Sequence, residues 1–107
     1  MSRFLVLALA ACLSVPAFAA GDAASGKQKS QGCAACHGAG GNAPTGPEFP
    51  RLAGQHEDYL LKALKDYKSG VRKNPIMSGQ VGGLSTQDMA DLAAYFASQS
   101  GTLHVIR

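Results

Sequence analysis

Two cysteines and a histidine within one short run, Cys33-Ala34-Ala35-Cys36-His37, constrain this chain more than any other feature. The C-x-x-C-H pattern is read as the attachment signature of a c-type haem. Its two thiols add across the two vinyl groups of the porphyrin and form thioethers. A two-residue spacer at the end of a helix puts the sulfurs at a suitable separation. His37 follows directly, so its imidazole reaches the iron from the proximal side. The covalent bonds retain a group that so short a chain cannot fully enclose.

The chain needs such a staple. It has 107 residues, no Trp and 7% aromatic residues, which predicts a thin core. Domains this small ordinarily rely on disulfides, a metal or a cofactor acting as core. Three other uses of the cysteines fit less well. A thioredoxin-like redox pair requires a β-α-β context, and no stretch alternates with period two. A structural zinc site takes about four ligands, and Cys33, Cys36, His37, His56 and His104 include no second cysteine pair. A disulfide across two residues constrains almost nothing.

Residues 1–20 read as an export leader. Arg3 supplies the positive start, Phe4 to Val15 is almost wholly apolar, and Ala17-Phe18-Ala19 gives a small-x-small cleavage pattern. The apolar run is too short to span a bilayer. Cleavage after Ala19 or Ala20 leaves a domain over 21–107 and a periplasmic location. Leu9-Ala10-Ala11-Cys12 also resembles a lipobox, in which case Cys12 carries a lipid and tethers the protein to a membrane; ordinary cleavage is favoured because the apolar run continues past Cys12. Without Arg3, nine basic residues face seven acidic ones. That balance is too mild for nucleic acid, and no basic run interleaves with aromatics.

The remaining pattern predicts an all-α fold of three main helices and two long loops. The first helix starts at the N-cap Asp22 and runs towards Cys33. The second covers about 55–69, with Tyr59, Leu60, Ala63, Leu64 and Tyr67 at helical spacing and Gly70 as its stop. The third starts at Ser85, with Asp88 three residues on as a weak capping box and Met89, Leu92, Ala93 and Phe96 as its apolar stripe. Residues 38–54 hold five Gly and three Pro, and 70–84 hold four Gly and one Pro. Structureless loops of that length are unusual in a compact domain unless a ligand organises them.

A second axial ligand has four candidates. Met89 lies on the apolar stripe of the third helix and reads as core. Met77, in Asn74-Pro75-Ile76-Met77-Ser78-Gly79, lies in a loop from which a flexible thioether can reach metal. His56 sits among charged residues and His104 in a short tail, so both read as exposed. Met77 is favoured. A His/Met pair fills both axial positions, and the soft thioether favours ferrous iron. Such a site suits a one-electron carrier cycling between Fe(II) and Fe(III), not an enzyme.

The sequence resembles the class I cytochromes c, and is most similar to one haem domain of the two-haem c-four group and its single-domain relatives. The likeness runs from about Gly21 to Gln99. It rests on Cys33-Ala-Ala-Cys-His37-Gly38, Phe49-Pro50-Arg51-Leu52-Ala53-Gly54-Gln55, Asn74-Pro75-Ile76-Met77 and Leu84 to Phe96. The resemblance implies a class I cytochrome c fold wrapped around one covalent haem c and its iron. It implies that the Pro50 carbonyl accepts a hydrogen bond from His37 Nδ1, that Leu52 packs on the haem, and that Gly26 lets the third helix cross closely near Tyr95. Two departures stand out. The two-haem group carries two C-x-x-C-H motifs where this chain has one, and the extra disulfide of the c-five type has no cysteines here.

The function this implies is periplasmic electron transfer. Redox proteins are the expected partners: a quinol-oxidising complex or dehydrogenase as donor, an oxidase or reductase as acceptor. Lys62, Lys65, Lys68, Arg72 and Lys73 are candidates for a docking patch facing an acidic partner. The alternatives are a dedicated haem subunit of a dehydrogenase or reductase complex and, less favoured, a haem sensor or weak peroxidase with Met77 off the iron.

Overall fold

A computed structural model of the chain describes residues 10–12 and 20–103. The described residues form five α-helices, α1 (Ala23–Lys29), α2 (Gln31–His37), α3 (Glu57–Ser69), α4 (Pro75–Val81) and α5 (Thr86–Ser98), with a 3-10 turn at Ala39–Gly41. They contain no strand, and none of their helices is long and apolar enough to cross a membrane. The leader expected over 1–20 lies largely outside the described residues.

The first expected helix is two helices. Asp22 caps α1 as predicted, its side chain accepting from the Ala24 amide at 3.0 Å. Ser30 then interrupts the run. Its buried hydroxyl donates to the Lys27 carbonyl at 2.7 Å and competes with the helical ladder. The chain restarts as α2, which continues past Cys33 to His37 and so carries the whole C-x-x-C-H run on one rigid piece.

α3 and α5 lie where the periodicity predicts. Glu57 and Asp58 open α3 and Lys68 closes it, each charge matched to its end of the helix dipole. Ser85 and Asp88 cap α5 reciprocally, the Asp88 amide donating to Ser85 Oγ at 3.0 Å and the Ser85 amide to Asp88 Oδ2 at 2.9 Å. The second expected loop is the larger correction, because 70–84 contains α4. Asn74 Oδ1 accepts from the Ile76 and Met77 amides at 3.0 and 3.2 Å, and Pro75 occupies the first turn, where its missing N–H costs nothing.

The core forms where α5 meets α1 and α3. Leu60, Leu92, Ala93, Tyr95 and Phe96 are buried together, with the Tyr95 and Phe96 rings 5.1 Å apart; burying a side chain such as Leu92 stabilises by about 2 kcal/mol. Gly26 sets how closely α1 approaches. A Cβ there would lie 2.0 Å from the Asp91 carbonyl oxygen and 2.7 Å from Tyr95 Cβ, so the crossing admits only glycine.

The same crossing buries a charge. Asp91, 3% exposed, accepts from the Asp22 amide at 2.8 Å, from Gln87 at 2.7 Å and from Lys29 Nζ at 2.6 Å. Lys29 also pairs with Asp88 at 2.8 Å. The Asp22 amide, then Lys29 and Gln87, hold the Asp91 carboxyl down to about 2. Lys29, then Ser85, hold Asp88 down to about 2, and both carboxylates in turn raise Lys29.

Candidate functional site

α2 delivers Cys33, Cys36 and His37 from consecutive turns. Neither cysteine is in a disulfide and both are half-buried. Cys33 packs against the core, and burial pushes its thiol up, with the neighbouring Cys36 adding to the effect. His37 is 6% exposed. Its Nδ1 lies 2.8 Å from the Pro50 carbonyl oxygen. A carbonyl only accepts, so Nδ1 carries the proton and Nε2 keeps the lone pair that a metal needs. The Phe49 ring meets the imidazole edge-on, with centroids 6.4 Å apart at 65°.

The glycine- and proline-rich segment 38–54 folds back to make this contact. Gly38, at φ 80°, turns the chain out of α2, and a Cβ there would stand 2.1 Å from the Ala43 carbonyl oxygen. Thr45 ties the segment to α2, its amide donating to the Cys36 carbonyl at 2.9 Å and its hydroxyl to the Ala35 and Cys36 carbonyls at 3.3 Å. The Leu52 amide donates to the Gly41 carbonyl at 2.8 Å. Leu52 itself is half-buried against the core.

Met77 lies on α4, half-buried, with its amide held by Asn74. α4 rests on α3, and Ser78 Oγ donates to the Tyr67 carbonyl at 3.4 Å. The structure thus gives Met77 its own support, separate from the loop that holds His37. Met89 is buried in α5, as its place on the apolar stripe predicts. His56 is exposed at the start of α3 and makes no side-chain cap there. His104 lies outside the described residues. Cys12 is exposed.

The donor set fits a c-type haem. Two unpaired thiols, one imidazole with its Nε2 lone pair available, and one thioether are the groups such a cofactor takes. Leu52, Leu61, Leu64 and Leu84 form a half-buried apolar rim on the core, suited to a flat apolar ring. Zinc fits poorly: among the described residues no three His, Cys, Asp or Glu side chains gather into a metal-binding group.

Three supporting residues lie beyond the sequence reading. Asn74 has a signal that could have found it, since Asn-Pro is an N-cap followed by a first-turn proline. Asp91 and Arg51 carry no local signal for their cross-chain contacts, because Asp22 and Lys29 lie 69 and 62 residues from Asp91 and Asn42 lies 9 from Arg51.

Comparison with known proteins agrees with the geometry. The family profile for cytochrome c matches residues 23–100. The chain is 55% identical over 100 residues to cytochrome c4 of Pseudomonas aeruginosa, covering 92% of this chain and 49% of that one. It is 45% identical over 83 residues to cytochrome c-554(548) of Halomonas halodenitrificans, covering 75% of this chain and 99% of that one. The crystal structure of reduced recombinant cytochrome c4 from Pseudomonas stutzeri superposes with a TM-score of 0.73 at 48% identity, over 78% of this chain and 48% of that one. The chain spans about half the length of the cytochrome c4 relatives it matches. With that match running from α1 past the end of α5, the chain belongs to the cytochrome c family, adopts its class I fold and takes its cofactor, covalent haem c with iron.

Proposed function

We propose that this chain is a periplasmic one-electron carrier in which Cys33 and Cys36 form the thioethers, His37 and Met77 are the axial ligands, and Pro50 and Leu52 complete the pocket. The observation that carries the reading is the buried His37 ring, with Nδ1 on the Pro50 carbonyl and Nε2 left to ligate. When bound, the haem supplies a single-electron couple between Fe(II) and Fe(III). The carbonyl fixes the imidazole and makes it the stronger donor. Met77, as the second residue that would hold the iron, would keep water, oxygen and peroxide off the metal. A site closed at both ends passes electrons and does not turn over a small substrate. The export leader over 1–20 puts this carrier in the periplasm.

The experiment is Met77→Ala, read in the near-infrared band of Met-ligated ferric haem. Loss of the band with the protein still red is the expected result. An unchanged spectrum overturns the ligand assignment and moves the reading towards a sensor or weak peroxidase.

The candidate docking patch is narrower than the sequence implies. Lys62 is paired with Asp66 at 2.6 Å, Lys68 donates to the Leu84 carbonyl, and Arg72 lies 4.7 Å over the Tyr67 ring. Lys65 and Lys73 are exposed and make no ion pair among the described residues. Lys73 lies between the exposed Val71 and Ile76, and Lys65 precedes them on α3. Exposed lysines in the same stretch of chain as exposed apolar side chains suit an acidic redox partner. Transfer rates should fall as salt rises. A flat salt response removes electrostatic docking and favours the second reading, a haem subunit held through Val71 and Ile76 in a dehydrogenase or reductase complex.

A further inference from the structure

The Pro50 carbonyl serves His37 only if it is held still, yet Pro50 is exposed and lies 13 residues along the chain from that ring. Its position is set by whatever ties the two limbs of the 38–54 loop together. Those ties form a short ladder. The Leu52 and Ala53 amides both donate to the Gly41 carbonyl, at 2.8 and 3.2 Å. A backbone rung at Pro50 is chemically excluded, because proline has no N–H. The Arg51 side chain closes the ladder beside it, Nη1 donating to the Asn42 carbonyl at 2.5 Å, with Asn42 Oδ1 at 3.5 Å. Thr45 ties the loop to α2 at Cys36 and the Phe49 amide donates to the Gly46 carbonyl at 3.1 Å, so Arg51 is the side-chain tie between the Asn42 and Pro50 limbs.

We propose that Arg51 is a positioning residue for His37: its guanidinium clamps the Asn42 limb to the Pro50 limb and so holds the carbonyl that keeps the His37 Nδ1 proton. A charge-assisted bond from a planar fork is the strong, directional kind, which suits a clamp on an exposed loop. The consequence for donor strength rests on His37 being the axial ligand; the hydrogen bond itself does not.

The test uses the haem-loaded ferrous protein and reads solvent exchange of the His37 Nδ1 proton by NMR. Arg51→Met removes the donor while keeping most of the apolar stem, and exchange should quicken by about tenfold, the worth of one charge-assisted bond. Arg51→Gln, too short to reach across, should behave alike. Arg51→Lys, whose Nζ can still donate to the carbonyl, should recover most of the protection. Thr45→Val, which loosens the loop elsewhere, should leave the rate unchanged. Unchanged exchange in both Arg51→Met and Arg51→Gln overturns the clamp. So does equal acceleration by Thr45→Val, since that marks general loosening. A wild-type His37 ring without a haem-shifted resonance overturns the axial role instead, which is a separate failure.

Discussion

The loop that holds His37 and the helix that carries Met77 solve one problem with different materials. Residues 38–54 have almost no regular structure, yet they are pinned to α2 through Thr45, closed by the Gly41 and Arg51 rungs, and end on a buried ring. α4 is a regular helix, but a short one, with Ile76 exposed, Val81 as its one buried residue, a side-chain cap at its start and one long side-chain link to α3 from Ser78. Regular secondary structure is therefore a poor guide to rigidity here. Burial and cross-links from distant residues decide it, and by that measure the His37 side is the firm one and the Met77 side the yielding one.

The hardest way to break the comparison is to remove the frame both sides share. Gly26→Ala drives a Cβ into the Asp91 carbonyl and should cost about 3 kcal/mol or more. Thermal unfolding should show His37 and Met77 spectral signatures lost together. A variant of wild-type stability would mean that α1 shifts freely and that the crossing is not the frame.

Acid attacks the same crossing more gradually. Asp88 and Asp91 are held at about 2 in the folded chain against an ordinary 3.8. Their folded forms bind protons less readily than the unfolded chain does, so the stability they contribute is present above about pH 4 and lost as pH falls towards about 2. Asp91→Asn should be less stable at neutral pH and show a flatter decline across that window, measured as the unfolding midpoint against pH. An equally steep decline would place the acid sensitivity elsewhere.

The finest probe addresses the Met77 side alone. Asn74→Ala removes the cap from α4 and should weaken that helix by about 1 kcal/mol. The near-infrared band of Met ligation should then disappear at lower denaturant or lower temperature than far-UV ellipticity does, while His37 Nδ1 exchange stays as in wild type. If both sides loosen equally, the contrast between them is wrong.

Much of the molecule is legible in the order of its residues. Cys33, Cys36 and His37 are legible because their pattern is local: three side chains at fixed spacing within five consecutive residues. The stripes of α3 and α5 are local in the same sense, since a period of 3.6 is written into consecutive residues. The break at Ser30 is not legible, because a serine inside a helical pattern is tolerated as often as it interrupts. Only the free path from its hydroxyl to the Lys27 carbonyl settles which. α4 is hidden because the glycines and proline of 70–84, weighed together, read as a loop. Asn74-Pro75 alone specifies a start, and the following residues need only not oppose it.

What the amino-acid order determined by itself is the cofactor chemistry and the helical class, because both depend on neighbours within a few residues. Tertiary structure alone decided that Asp91 is buried under α1 and that Arg51 reaches Asn42 beside the Pro50 carbonyl. Each of these joins residues that spacing leaves unrelated. Such pairings exist only once the chain has closed on itself and burial has made an unpartnered charge too costly to leave in place.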